Sequence, residues 1–142
     1  MPATPAEILR IWFERVWNQG DESTIDQYYA PTAVANGLPS APIPGPEGFK
    51  PFVRAFRAAF PDIRVEVTHA ISEGDLGVVH CRVTGTNTGG LMGLAATNRP
   101  FDITGMTMAR VADGRIVEGW NSFDFMTMYQ QLGIQAPAVA EG

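Results

Sequence analysis

At 142 residues, 45% of them hydrophobic and 18% charged, the chain has the size and composition of one domain, 1–142, rather than of a disordered segment or a split pair of small domains. A formal net charge of -5 with ten scattered Lys and Arg argues against a phosphate-tracking surface, so no nucleic-acid partner is expected. The lone cysteine, Cys81, cannot close an intramolecular disulfide and no Cys or His spacing suggests a metal site. No stretch reaches the ~18 apolar residues of a membrane span, and Met1 to Glu7 lacks a secretory pattern, so a cytoplasmic protein without membrane association is expected.

In chain order, Pro5 to Asn18 predicts a first helix, with Thr4 as N-cap and two i, i+4 rows, Ile8–Trp12–Val16 and Leu9–Phe13–Trp17. Gly20 stops it. Glu22 to Tyr29 predicts a short second helix ended by Pro31. The run from Asn36 to Pro46 holds too many Pro and Gly for regular structure and predicts a loop or lid. Glu47 to Phe60 returns to helical period with a stripe of Phe49, Phe52, Val53, Phe56 and Phe60. From there the period becomes two. Strands are predicted near 64–70, 76–85, 99–111 and 115–125, with turns at Glu73-Gly74-Asp75 and Asp113-Gly114. A last helix covers Phe125 to Leu132, giving an ordered core of about 5–133 and a frayed tail over 134–142. Helices first and strands afterwards indicate an α+β fold, helices packed on one face of a curved antiparallel sheet.

The stretch Gly105–Trp120 (GMTMARVADGRIVEGW), continuing through Asp124 to Gln131-Leu132-Gly133, resembles the hallmark of SnoaL-like polyketide cyclases, also called ester cyclases, of the NTF2-like superfamily. Upstream, Val16–Asp21 (VWNQGD), Gly45–Phe49 (GPEGF), Phe60-Pro61-Asp62 and Thr84-Gly85-Thr86 agree in order and spacing. The resemblance implies a cone-shaped fold around an apolar pocket, a homodimer formed by the sheet side facing away from it, no cofactor, and a carboxylate that moves protons in an aldol-type ring closure. That carboxylate is Asp124.

Strand alternation would put Trp120, Ser122 and Asp124 on one face, so that an indole, a hydroxyl and a carboxylate share the pocket. Equally, Asp124 stands where an N-cap of the last helix belongs. Many relatives carry His where this chain has Asn36 and Asn87; a neutral amide cannot shuttle protons but can hydrogen-bond an enolate oxygen. Tyr28, Tyr29, Trp17, Phe56, Met92, Met106, Met108 and Met126 offer a pliant apolar lining for a small hydrophobic or polycyclic molecule. His80 alternates with Arg82 and Thr84, which points it to solvent or a dimer face. Arg99 and Asp102 resemble the Arg-x-Asp set of limonene epoxide hydrolases, one residue too far apart. Phe13 and Asn36-Gly37 stand where ketosteroid isomerases carry their tyrosine and base. Three functions remain: a cyclase or isomerase, a noncatalytic binder that kept the pocket, and an epoxide hydrolase.

Overall fold

The computed structural model describes residues 3–40, 42–91 and 93–134. Helix α1 (Pro5–Trp12) begins with a reciprocal capping box: the Thr4 hydroxyl accepts from the Glu7 amide and the Glu7 carboxylate accepts from the Thr4 amide, each at 3.2 Å. The same helical path then winds as a π-helix (Phe13–Asn18) instead of continuing as α-helix. This change has a consequence for the interior. Trp12 and Trp17 are five residues apart and would diverge by about 140° on an α-helix, whereas i→i+5 bonding brings them to one side.

Helix α2 (Glu22–Tyr28) starts on an Asp21 cap and runs straight into strand β1 (Tyr29–Asn36), a segment in which Pro31 predicts only a helix end. Pro31 is tolerated because it falls between Tyr29 and Val34, where the register of β1 against its neighbour shifts. A two-residue strand β2 (Ile43–Pro44) and helix α3 (Gly45–Ala59) follow. Lys50 bridges Asp26 at 2.9 Å, and the Arg54 guanidinium donates to both oxygens of Glu22 at 2.7 and 2.5 Å, tying α3 to α2.

Strands β3 (Arg64–Glu73), β4 (Leu76–Thr86), β5 (Pro100–Ala112) and β6 (Arg115–Phe123) form the expected antiparallel meander, and α4 (Phe125–Leu132) closes the described chain. The sheet order is β2-β1-β6-β5-β4-β3, and β1 lies parallel to β6, so the sheet is mixed rather than purely antiparallel. Helices α1 and α3, with the π-helix between them in space, cover the concave face, where the buried aromatic and aliphatic residues gather. Cys81 sits there fully buried, and burial pushes its thiol up to about 12, so it behaves as a small apolar residue. Among the described residues no helix is long and apolar enough to cross a membrane.

Candidate functional site

Between the sheet and the helices lies a cavity of about 80 Å³. Its roof is aromatic. Trp12 stacks on Tyr29 with ring centroids 5.5 Å apart, and Phe49 meets Trp12 at 5.1 Å and Trp17 at 6.2 Å. The floor is the concave side of the strands: Ala35 from β1, Thr107 and Ala109 from β5, Gly119, Asn121 and Phe123 from β6. Leu38, Asn121, Phe123 and Phe125 are the lining residues that keep partial exposure, so the mouth lies where the end of β6 and the start of α4 meet the turn after β1. That turn is pressed onto β6: Gly37 has φ +81, and a Cβ there would stand 2.0 Å from the Asn121 carbonyl oxygen. Only glycine fits such an approach.

Two polar side chains of the cavity, Thr107 and Asn121, form a short chain with a backbone carbonyl. Thr107 Oγ1 donates to Asn121 Oδ1 at 2.8 Å, and Asn121 Nδ2 donates to the Asn36 carbonyl at 2.9 Å. A carbonyl can only accept, so this second bond sets which end of the Asn121 amide faces which partner. One Asn121 N–H and the lone pairs of the Thr107 hydroxyl remain without a partner among the described residues. Tyr29 also lines the cavity; its hydroxyl donates to the Ile43 carbonyl at 2.8 Å, and burial pushes its pKa up, so it stays a neutral phenol. No Asp, Glu, His, Lys, Arg or Cys is among the described lining residues.

The expected pocket residues divide. Trp17, Tyr29 and Phe56 line the cavity. Tyr28 is half-buried against the outer part of the core and is not in the lining. Met92 lies outside the described residues. Trp120, Ser122, Met106 and Met108 face the convex side, opposite to expectation, because the alternation of β5 and β6 puts Gly105, Thr107, Ala109, Gly119, Asn121 and Phe123 inward. Met108 stands directly across from Trp120, and Met106 is 46% exposed. Met126 points out of α4 at 61% exposure. Asn36 turns its amide away from the cavity, donating to Glu118 Oε2 at 3.2 Å and the Gly119 carbonyl at 3.1 Å; its backbone oxygen, not its side chain, joins the interior chain.

Asp124 is the N-cap of α4 rather than a cavity wall. Its carboxylate accepts from the Thr127 hydroxyl at 2.6 Å and the Thr127 amide at 3.1 Å, and these bonds, the hydroxyl's first, hold its pKa below the usual carboxylate range. A proton-abstracting base needs the reverse, a pKa raised by an apolar setting. The epoxide-hydrolase set is not assembled either. Asp102 pairs with Arg82 at 2.5 Å on the convex face, while exposed Arg99 lies beside Gly133. Asn87 is buried but committed to its loop, donating to the Ala95 carbonyl and Thr97 Oγ1 and accepting from the Gly90 amide. His80 and His69 share the Thr68 hydroxyl away from the cavity.

Thr107, Asn121 and Gly119 are the site residues that strand alternation misassigned. A usable signal exists: small residues stand at alternate positions Thr107 and Ala109 and again at Gly119, and a glycine inside a strand marks a close approach of a ligand or of another backbone.

This geometry has close parallels among solved structures. The chain is 35% identical to IdmH from Streptomyces antibioticus, a candidate polyketide cyclase, with 93% of this chain and 100% of that one covered and a TM-score of 0.79. A SnoaL-like protein from Jannaschia sp. CCS1 (22% identity, 97% and 99% covered, TM-score 0.82) shares the fold. So does a protein of ketosteroid isomerase-like fold from Catenulispora acidiphila (19% identity, 96% and 99% covered, TM-score 0.77). No curated protein matches the chain significantly. With its cone of mixed sheet and helices around an apolar cavity, and with residues 7–132 matching the family throughout, the chain belongs to the SnoaL-like polyketide cyclases.

Proposed function

We propose that the protein closes or rearranges a ring in a largely apolar, oxygen-bearing molecule of polyketide type, held in the concave cavity and processed without a protein carboxylate as base or a cofactor. One observation carries this reading: an aromatic and aliphatic enclosure into which the sheet sets a hydrogen-bonded pair of neutral side chains, Thr107 and Asn121. Confining a flexible chain in a reactive conformation removes entropy from the barrier. Water at the mouth takes the proton alpha to a substrate carbonyl, the enolate carbon adds to a second carbonyl of the same molecule, and the resulting alkoxide takes the proton back. The spare Asn121 N–H steadies the oxygen charge meanwhile, a contribution of about 10²–10³ in rate for one such donor. At about 80 Å³ the cavity is smaller than the roughly 300–1,000 Å³ of a drug-sized site, so binding widens the mouth between Leu38 and Phe125.

The test is turnover of linear polyketide-type substrates under single-turnover conditions. Asn121→Leu is expected to lower kcat/KM by about 10² or more, with Asp124→Asn close to wild type. The opposite pattern would return the proton-transfer role to Asp124 and end this reading. A second reading, a noncatalytic binder, draws on the same absence of Asp, Glu, His, Lys, Arg and Cys from the described lining. It is favoured if the bound molecule leaves chemically unchanged.

A homodimer through the convex face belongs to the same proposal. Val78, Met108 and Trp120 stand side by side across β4, β5 and β6 there, with Met106 one row away. Sedimentation at micromolar concentration is expected to show a dimer that Trp120→Glu dissociates; a monomeric wild type would refute it.

A further inference from the structure

Glycine in the middle of a central strand calls for a reason, because it weakens the strand and packs nothing. At several glycines the reason is crowding. A Cβ at Gly105 would lie 2.2 Å from the Phe123 ring, one at Gly85 2.8 Å from Phe101, and one at Gly77 2.7 Å from the backbone of Pro5. Gly119 is different. A Cβ there would meet nothing nearer than the Met108 carbonyl oxygen at 4.0 Å, and its φ is outside the left-handed region. Neither packing nor backbone geometry asks for glycine at this position, yet it lines the cavity.

Its neighbours share the property. In register, Gly119 stands between Ala35 of β1 and Ala109 of β5, and both of these also line the cavity. The floor at this row is therefore little more than backbone across three adjacent strands, in a cavity that the rings of Trp12, Trp17 and Phe49 also line. One row along the strands, about 7 Å away, the paired Thr107 and Asn121 supply the hydrogen-bonding groups.

We propose that Gly119 sets the thickness of the molecule accepted. A flat, unsaturated ring system lies on the bare floor at Gly119 with an oxygen substituent reaching Asn121 and Thr107, and a puckered, saturated analogue is refused. This rests on the reading of the cavity as the substrate site. It adds the shape class of the substrate and a residue that selects it.

The test is calorimetric titration of wild type, Gly119→Ala and Gly119→Val with 2-naphthol and with decahydro-2-naphthol, two probes that share a carbon skeleton and a hydroxyl but differ in flatness. Wild type is expected to bind 2-naphthol at least about tenfold more tightly than the saturated alcohol. Gly119→Ala, whose Cβ has room, should weaken 2-naphthol a few-fold. Gly119→Val should weaken it by about 10–200-fold, with an unchanged circular dichroism spectrum and a melting midpoint no lower than wild type. If the valine variant does not fold, the alanine variant decides: wild-type affinity there overturns the proposal. So does wild-type affinity in a folded Gly119→Val, equal binding of the two probes by wild type, or no binding of either. A protein that selects the flat probe as described but never closes a ring keeps this inference and loses the cyclase reading.

Discussion

On β6, residues of the concave face (Gly119, Asn121, Phe123) alternate one by one with those of the convex face (Glu118, Trp120, Ser122), and the neighbouring β5 does the same with Thr107 and Ala109 against Met106 and Met108. The bulky apolar residues, Trp120, Met106 and Met108, are on the outside. Within this stretch the concave face carries Thr107, Ala109, Gly119 and Asn121, with Phe123 at its end. Elsewhere the sheet buries its hydrophobic face in the ordinary way, through Val79, Val83, Phe101, Ile103 and Ile116, and only this stretch departs from it. Here the helical segments supply much of the aromatic bulk of the interior, through Trp12, Trp17 and Phe49, and the row of Ala35, Gly119 and Ala109 supplies space. At the row of Ala35, Gly119 and Ala109 this explains how a cavity persists in so small a chain: the sheet contributes little side-chain bulk there. Its larger inward residues, Phe101, Ile103, Ile116 and Phe123, stand elsewhere on the strands.

The comparison breaks most visibly at Phe49, which touches Trp12, Trp17, Tyr29 and Phe52. Phe49→Ala is expected to cost about 3–5 kcal/mol in urea unfolding, whereas Met106→Ala on the convex face should stay within about 0.5 kcal/mol. A loss at Phe49 below about 1 kcal/mol would mean that the roof contributes little. Next comes Asn121→Leu, which leaves the Thr107 hydroxyl and the Asn36 carbonyl without their partner. It should destabilise by about 1–3 kcal/mol, while Ser122→Leu, one residue away and facing out, should not.

Tyr29→Phe tests the far end of the cavity. Removing the hydroxyl strips the Ile43 carbonyl of its donor, and about 1 kcal/mol of unfolding free energy should go with it. The smallest effect is expected at Asp124→Asn, since Asn is itself a good N-cap. The Thr127 bonds depress the folded-state pKa of Asp124, so its ionised form favours the fold. That contribution is complete above the ordinary Asp value of about 3.9 and fades as pH falls through the lower folded value. Melting curves of wild type and Asp124→Asn should therefore differ slightly at neutral pH and converge at the acid end. A gap that widened toward acid would contradict the cap assignment.

Much of this was legible beforehand, and for identifiable reasons. The Thr4 cap, the α3 stripe, the two turns at Gly74 and Gly114 and the terminal helix rest on local chemistry: capping hydroxyls, a 3.6-residue period, and glycines at positive φ. The family resemblance over Gly105–Trp120 added the cone and its mixed layers. Three features escaped. The π-helix over Phe13–Asn18 has no propensity signature, and it aligns Trp12 with Trp17 only because both pack under α3. Strand β1 was hidden by Pro31, which is harmless only at a register shift that β6 defines.

The third was the direction of the alternation on β5 and β6. Period two tells which residues share a face, and here it grouped Trp120 with Ser122 correctly, whereas Asp124 falls past the end of β6 and caps α4. It cannot tell which face the helices cover. When the residues on both faces are of mixed polarity, that choice depends on contacts distant in the chain: α1, the π-helix and α3 closing over Gly119 and Asn121, and Gly37 pressing onto the backbone at Asn121. The sequence by itself determined α1 to α4, strands β3 to β6, their order and the two candidate faces, because these follow from local geometry, but not the π-helix, β1 or β2. Only the tertiary structure decided that Asp124 caps a helix while Asn121 and Thr107 look into the cavity, because the sign of a strand's alternation is set by what packs against it.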